Sequence, residues 1–255
     1  MAVPWVAFAI VIVAVGGIPF ALAMIGLAVI GLGELFRMTM RYRPIVPVAL
    51  AAAAGMVIAA YYGDQFQIVL VGVAAFPAMF AFAILRRTLD GVTRSMAITV
   101  FGIAWIGIPF AHAVLLRELP QHGGALLIDV LVGTFVTDTA AYAGGRLFGR
   151  RPLAPSLSPN KTVEGLAFGF VGGTMGFWFA GLYQDWLSGI DALVMGMCIA
   201  AMAPVGDLFE SIVKRDLGIK DSGSVFGPHG GLLDRLDALL FTIVIAYYLA
   251  VAFVY

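Results

Sequence analysis

Apolar residues run through this chain in long stretches separated by short polar breaks. Residues 2–36 are almost wholly apolar, too long for one ordinary helix. Gly16-Gly17-Ile18-Pro19 divides them, because glycine loosens a helix and proline removes a backbone donor. The pattern predicts helices over 2–17, 18–40, 44–62, 66–86, 95–116, 125–147, 163–186, 190–214 and 232–254. The first is short enough to be re-entrant. Pro109 predicts a kink in the fifth, and Gly165, Gly169 and Gly173, four residues apart, predict close helix packing in the seventh. A spanning helix needs about 20 apolar residues. Runs this long and continuous suit helices and not the strands of a barrel. The expected fold class is all-α, a polytopic integral membrane helical bundle of about nine transmembrane helices.

Composition sharpens this picture. The chain is 62% hydrophobic and 12% charged, with a mean hydropathy of +1.00. Net charge is zero, so nothing suggests a nucleic-acid partner. The single cysteine, Cys198, permits no intrachain disulfide. The N-terminus lacks the basic region of a cleaved signal peptide, so the first helices are expected to stay. Of the 15 lysines and arginines, only Arg117 falls on the loops of one side; the others share the opposite side. The positive-inside rule then predicts a cytoplasmic N-terminus in a multi-pass protein of the cell inner membrane. It also puts 146–164 and 207–237 on the cytoplasmic face.

The stretch 207–237 stands out. Its 31 residues hold five Asp, one Glu, two Lys, two Arg and one His. Each charge at hydrocarbon depth costs roughly 2.5–3.5 kcal/mol on insertion scales. Asp207, Glu210, Ser211 and Lys214 lie at i, i+3, i+4 and i+7, on one helix face. Asp234 and Asp237, at i and i+3, also project together. Carboxylates from two helices under a glycine-rich turn (Gly227 to Gly231) resemble a hard-cation site suited to Mg²⁺, as one ion or two. Two other readings stay open: an internal salt bridge for Asp207, and simple helix capping for Asp234. His229 is either a phosphate ligand or general acid, or a turn residue. Upstream, Asp138 to Arg146 contains paired glycines. Ser158-Pro159-Asn160-Lys161-Thr162 leads into a helix start, where Thr162 or Asn160 can cap and Lys161 can reinforce an anion site. Asp129 and Asp138, nine residues apart, face opposite ways and are not expected to pair. Glu34 reads as an interfacial charge, and His112 as a packed or hydrogen-bonded core histidine.

Together these pieces resemble the phosphatidate cytidylyltransferases. The matching pattern is Ser211, Lys214-Arg215, Lys220-Asp221, His229-Gly230-Gly231 and Asp234-Arg235-Leu236-Asp237. Upstream it continues in Asp138, Tyr142 and Gly145-Arg146, and in Ser158-Pro159, Lys161-Thr162 and Glu164-Gly165. One departure is Gly227-Pro228, where the family reads Pro-Gly. The resemblance implies an enzyme that joins phosphatidic acid to the α-phosphate of CTP, releasing pyrophosphate. It implies Asp207, Asp234 and Asp237, with Asp221 as a further candidate, at the metal. Lys214 and His229 join those three aspartates as catalytic residues. Lys161, Arg215, Lys220, Ser211, Asp138, Ser158, Thr162 and Glu164 are implied in substrate binding. Residues 124–255 would form the catalytic region, and 1–123 a lipid-facing scaffold with contacts for a homodimer. Rival readings are an archaeal ether-lipid cytidylyltransferase, a CTP-dependent isoprenoid-alcohol kinase, or a transporter.

Overall fold

The computed structural model of the chain describes residues 2–85, 90–223 and 230–255, with side chains from residue 9 onward. The described residues form nine helices and one small hairpin. They are α1 (Ala2–Val15), α2 (Gly17–Met38), α3 (Val46–Tyr62), α4 (Gln65–Leu85), α5 (Val92–Arg117), α6 (Gly123–Phe148), β1 (Pro152–Ala154), β2 (Ser158–Thr162), α7 (Val163–Gly181), α8 (Gly189–Asp216) and α9 (Leu233–Phe253). All but α1 and α3 are long and apolar enough to cross a membrane. With 14 and 17 residues, those two reach only about 21 and 26 Å, short of the roughly 30 Å hydrocarbon core. The chain is an all-α polytopic membrane bundle.

The chain divides into two compact units, Met1–Gly124 with Asp221–Asp234, and Ala125–Lys220 with Arg235–Tyr255. In the first, α3 offers a face of small residues (Ala49, Ala52, Ala53 and Ala60) that is fully buried among α2, α4 and α5. The α1–α2 break falls at Gly16 and Gly17, with φ of 63° and 57°, left-handed values that glycine adopts without a Cβ penalty. Arg117 closes this break. Its Nε donates to the Val13 carbonyl at 2.6 Å and its Nη2 to that of Ala14 at 3.3 Å, while Glu118 accepts from the Gly17 amide at 3.0 Å. A cation thus meets the negative end of α1 and an anion the positive end of α2. Just before Pro109 the helix carries a π-turn over Ile103–Gly107. The ring removes the amide that would bond to Trp105 four residues back, and the wider turn absorbs the loss. His112 is buried, with Nδ1 2.9 Å from the Ile108 carbonyl, as a core histidine should be. On α4, Phe66, Val69, Leu70, Val73, Phe76 and Phe80 form an outward apolar stripe that suits lipid.

The second unit packs α6, α7 and α8 closely, and glycine is the reason. A Cβ on Gly169 would come within 2.8 Å of Ala141 Cβ, one on Gly172 within 2.5 Å of Ala140 Cβ, and one on Gly196 within 2.8 Å of the Thr174 carbonyl. The small-residue spacing in the sequence does mark this seam. Thr134 of α6 donates to Thr242 of α9 at 3.0 Å. Phe209 and Phe241 meet at 5.2 Å between α8 and α9. Two expectations are corrected. α7 ends at Gly181, five residues early, because Gln184 turns back to donate to Asp129 at 2.6 Å and the Trp178 indole donates to the Gly189 carbonyl at 3.1 Å. The basic loop after α6 contains an antiparallel hairpin, β1 on β2.

Candidate active site

The hairpin is the first element of the site, since it delivers Lys161. Glu164, in the first turn of α7, accepts from the Arg150 and Arg151 amides at 3.0 and 3.1 Å and from Arg151 Nε at 2.9 Å. Its carboxylate therefore fastens the hairpin base. Thr162 caps α7 by accepting from the Gly165 amide at 3.0 Å. Ser158 is half-buried at the start of β2, paired with Ala154. Lys161 extends between these anchors and pairs with Asp207 of α8.

Asp207 belongs to a group of acids. Asp138 of α6 lies within electrostatic reach of both Asp207 and Lys161. Asp237 of α9 feels Asp207, Glu210 and Asp138. The sequence separates these carboxylates by up to 99 positions, and three helices of the second unit bring them together. The α8–α9 approach is tight because of Gly206, where a Cβ would overlap the Asp237 carbonyl oxygen. Glu210 is buried and accepts from Lys214 Nζ at 2.9 Å. Four acids thus share two ammonium groups, Lys161 and Lys214. Ser211 is half-buried on α8, one residue beyond Glu210. Arg215 donates to the Leu157 carbonyl at the hairpin tip (3.2 Å) and to that of Ile219 (3.4 Å). Lys220 and Asp221 are exposed.

Asp234 has a different setting, in the first unit. Its Oδ2 accepts from the Ser222 amide and hydroxyl, both at 2.9 Å, and from the Gly231 amide at 2.8 Å. This is the capping alternative in an extended form. Among the described residues no three His, Cys, Asp or Glu side chains converge closely enough to hold a metal ion as they stand. An ammonium group occupies Asp207, and backbone donors occupy Asp234. The donor chemistry still fits Mg²⁺: the acids around Asp207 offer only hard carboxylate oxygens and, among the described residues, outnumber their cations. His229 and the Gly227-Pro228 departure lie outside the described residues, as do Arg86 and Arg87 of the basic loops.

The clearest miss of the sequence reading is Glu34. It is only 1% exposed, enclosed by protein and not a solvated surface charge. Oε1 accepts from the Leu232 amide at 2.9 Å and Oε2 from the Leu233 amide at 3.0 Å, with the Ser222 hydroxyl, shared with Asp234, 3.3 Å from Oε2. The signal was available: a lone acid in an apolar run is a functional candidate by default. Asp129, as expected, does not join Asp138; it is buried against Gln184.

A sequence profile of the cytidylyltransferase family matches residues 1–253. The chain belongs to the cytidylyltransferase family. It is 36% identical over 204 residues to an uncharacterized protein, YnbB, of Escherichia coli K12, covering 74% of this chain and 68% of that one. It is 29% identical over 253 residues to the phosphatidate cytidylyltransferase of Bacillus subtilis, covering 95% and 92%. To that of Helicobacter pylori 26695 it is 44% identical over 123 residues, covering 48% and 45%. In this chain the clustered acids and Lys214 lie on helices, and Lys161 lies on the hairpin.

Proposed function

We propose that this chain transfers the cytidylyl group of CTP to phosphatidic acid, giving CDP-diacylglycerol and pyrophosphate, at the cytoplasmic face of the membrane. The observation that carries the reading is the cluster of Asp138, Asp207, Glu210, Asp237 and Lys214, on membrane helices of a cytidylyltransferase-family chain, with Lys161 reaching it from the hairpin. An oxygen of the lipid phosphate attacks the α-phosphorus of CTP. The bond from that phosphorus to the oxygen bridging to the β-phosphate breaks, and pyrophosphate carries the electron pair away. The nucleophile is already anionic near neutral pH, so no strong base is needed. The protein contributes positioning and charge neutralisation.

Asp207 and Asp237, assisted by Asp138, would hold Mg²⁺. When bound, the ion supplies charge neutralisation at the phosphates. Lys161 is the cation that a phosphate can draw from Asp207. Lys214, held by Glu210 one turn deeper, presents a second ammonium group. Arg215 and Lys220 extend the basic surface at the end of α8, and Ser211 offers a hydroxyl beside Glu210. Asp234 holds the start of α9 through Ser222 and Gly231.

The test is product analysis with purified protein in mixed micelles of detergent and phosphatidic acid. CTP should yield CDP-diacylglycerol and pyrophosphate. EDTA should stop the reaction and Mg²⁺ restore it. Asp207→Asn and Asp237→Asn should each lower turnover by at least about 100-fold while the protein remains folded. A phosphorylated lipid with CDP as the second product would identify a kinase instead. Near-normal rates in both variants would overturn the carboxylate assignment.

A further inference from the structure

We infer that Glu34 is a positioning residue for the transfer reaction: from α2 it holds the start of α9, the helix that carries Asp237. The inference rests on the proposed reaction and adds to it a residue about 200 positions away in sequence. Leu232 and Leu233 stand at the N-terminus of α9, where helix amides have no intrahelical acceptor. Both of their amides go to the Glu34 carboxylate, one to each oxygen. A helix N-terminus favours an anion, and this one has its anion built in. It is thereby closed to a substrate phosphate.

The surrounding backbone is shaped to this carboxylate. A Cβ on Gly223 would come within 2.6 Å of Glu34 Oε1, and one on Gly231 within 2.6 Å of both carboxylate oxygens. Gly230 has φ of +87°, a left-handed value. The paired glycines at 230 and 231 let the chain close on an acid from another helix. Ser222 links the two carboxylates, with its hydroxyl 2.9 Å from Asp234 Oδ2 and 3.3 Å from Glu34 Oε2. Glu34 and Asp234 together fix Ser222, Gly231 and the first turn of α9. Asp237 follows one turn later on the same helix, so the aim of its side chain depends on how that turn is seated.

Glu34→Gln keeps the size of the side chain but replaces one acceptor oxygen with a donor facing a buried amide. Hydrogen bonds to charged groups are among the stronger ones, and their loss at a helix start is expected to lower kcat about 10- to 100-fold. KM for CTP should stay within about twofold, because the residue touches no substrate. Hydrogen–deuterium exchange in detergent should rise in the peptide covering 230–240 and stay unchanged in α6 and α7. Ser222→Ala is the milder second variant, with a fall in kcat of about 3- to 10-fold and the same exchange signature. It decides the matter if Glu34→Gln does not fold. Faster exchange with kcat within twofold of wild type would make Glu34 structural only and overturn the inference. So would unchanged exchange. A wild-type protein that makes no CDP-lipid refutes the reaction instead, and the exchange result then judges the hold on α9 by itself.

Discussion

Gly206→Ala tests whether the spacing of α8 and α9 sets the rate. Gly206 precedes Asp207, and its missing side chain is what lets α9 approach. A Cβ there would overlap the Asp237 carbonyl oxygen and stand 3.0 Å from Ala238 Cα and 3.1 Å from the Asp237 carbonyl carbon. Carbon atoms prefer about 3.5–4.0 Å, so the helices must part by roughly 0.5–1 Å. All three obstructing atoms are backbone, so no side chain can swing aside. Overpacking of this kind costs about 1–3 kcal/mol. At about 2–4 °C per kcal/mol for a chain of this length, Tm should fall by about 2–12 °C. The larger effect is on turnover, because a displacement near 1 Å at reacting groups can cost about 100-fold. The assay is incorporation of labelled CTP into CDP-lipid, alongside thermal unfolding in the same detergent. Gly26→Ala is the control: it lies in α2 with nothing within 4 Å of a built Cβ, and should be neutral or stabilising by up to about 1 kcal/mol. Gly206→Ala with wild-type turnover and Tm would show that the approach of α8 and α9 does not limit the reaction.

Arg117→Ala should destabilise by about 1–2 kcal/mol, because the last carbonyls of α1 lose a charged donor. Its kcat should stay within twofold of wild type, a separation that denaturation and turnover measured on one preparation will reveal. Thr162→Ala should cost about 1 kcal/mol at the start of α7 and speed proteolysis near the hairpin, measured as the cleavage rate between residues 150 and 165.

Much of the fold was legible because membrane helices announce themselves by length and composition. The Gly16-Gly17 break, the glycine seam of α7 and the isolation of Asp129 from Asp138 all follow from local rules, and the structure agrees with each. What escaped was decided by distant partners. The hairpin at 152–162 is short, and contacts to Glu164 hold its base, so no alternation in the sequence revealed it. The end of α7 depends on Gln184 reaching Asp129, 55 residues earlier. Glu34 looked interfacial because its partners lie 188 to 199 residues away. Asp234 and Asp237 share a helix face in projection, yet the backbone donors at Ser222 and Gly231 claim the first. That distinction needed coordinates.

The long span between Glu34 and Leu232 also has a consequence in time. Ribosomes add about 5–20 residues per second, and 198 positions separate the two. Glu34 therefore waits on the order of 10–40 s after its own synthesis before its acceptor oxygens meet the amides they finally hold. During that interval α2 sits in the membrane with an acid near its end and no native partner. Completion of the N-terminal unit is thus a late event in biogenesis, timed by the emergence of the last helix.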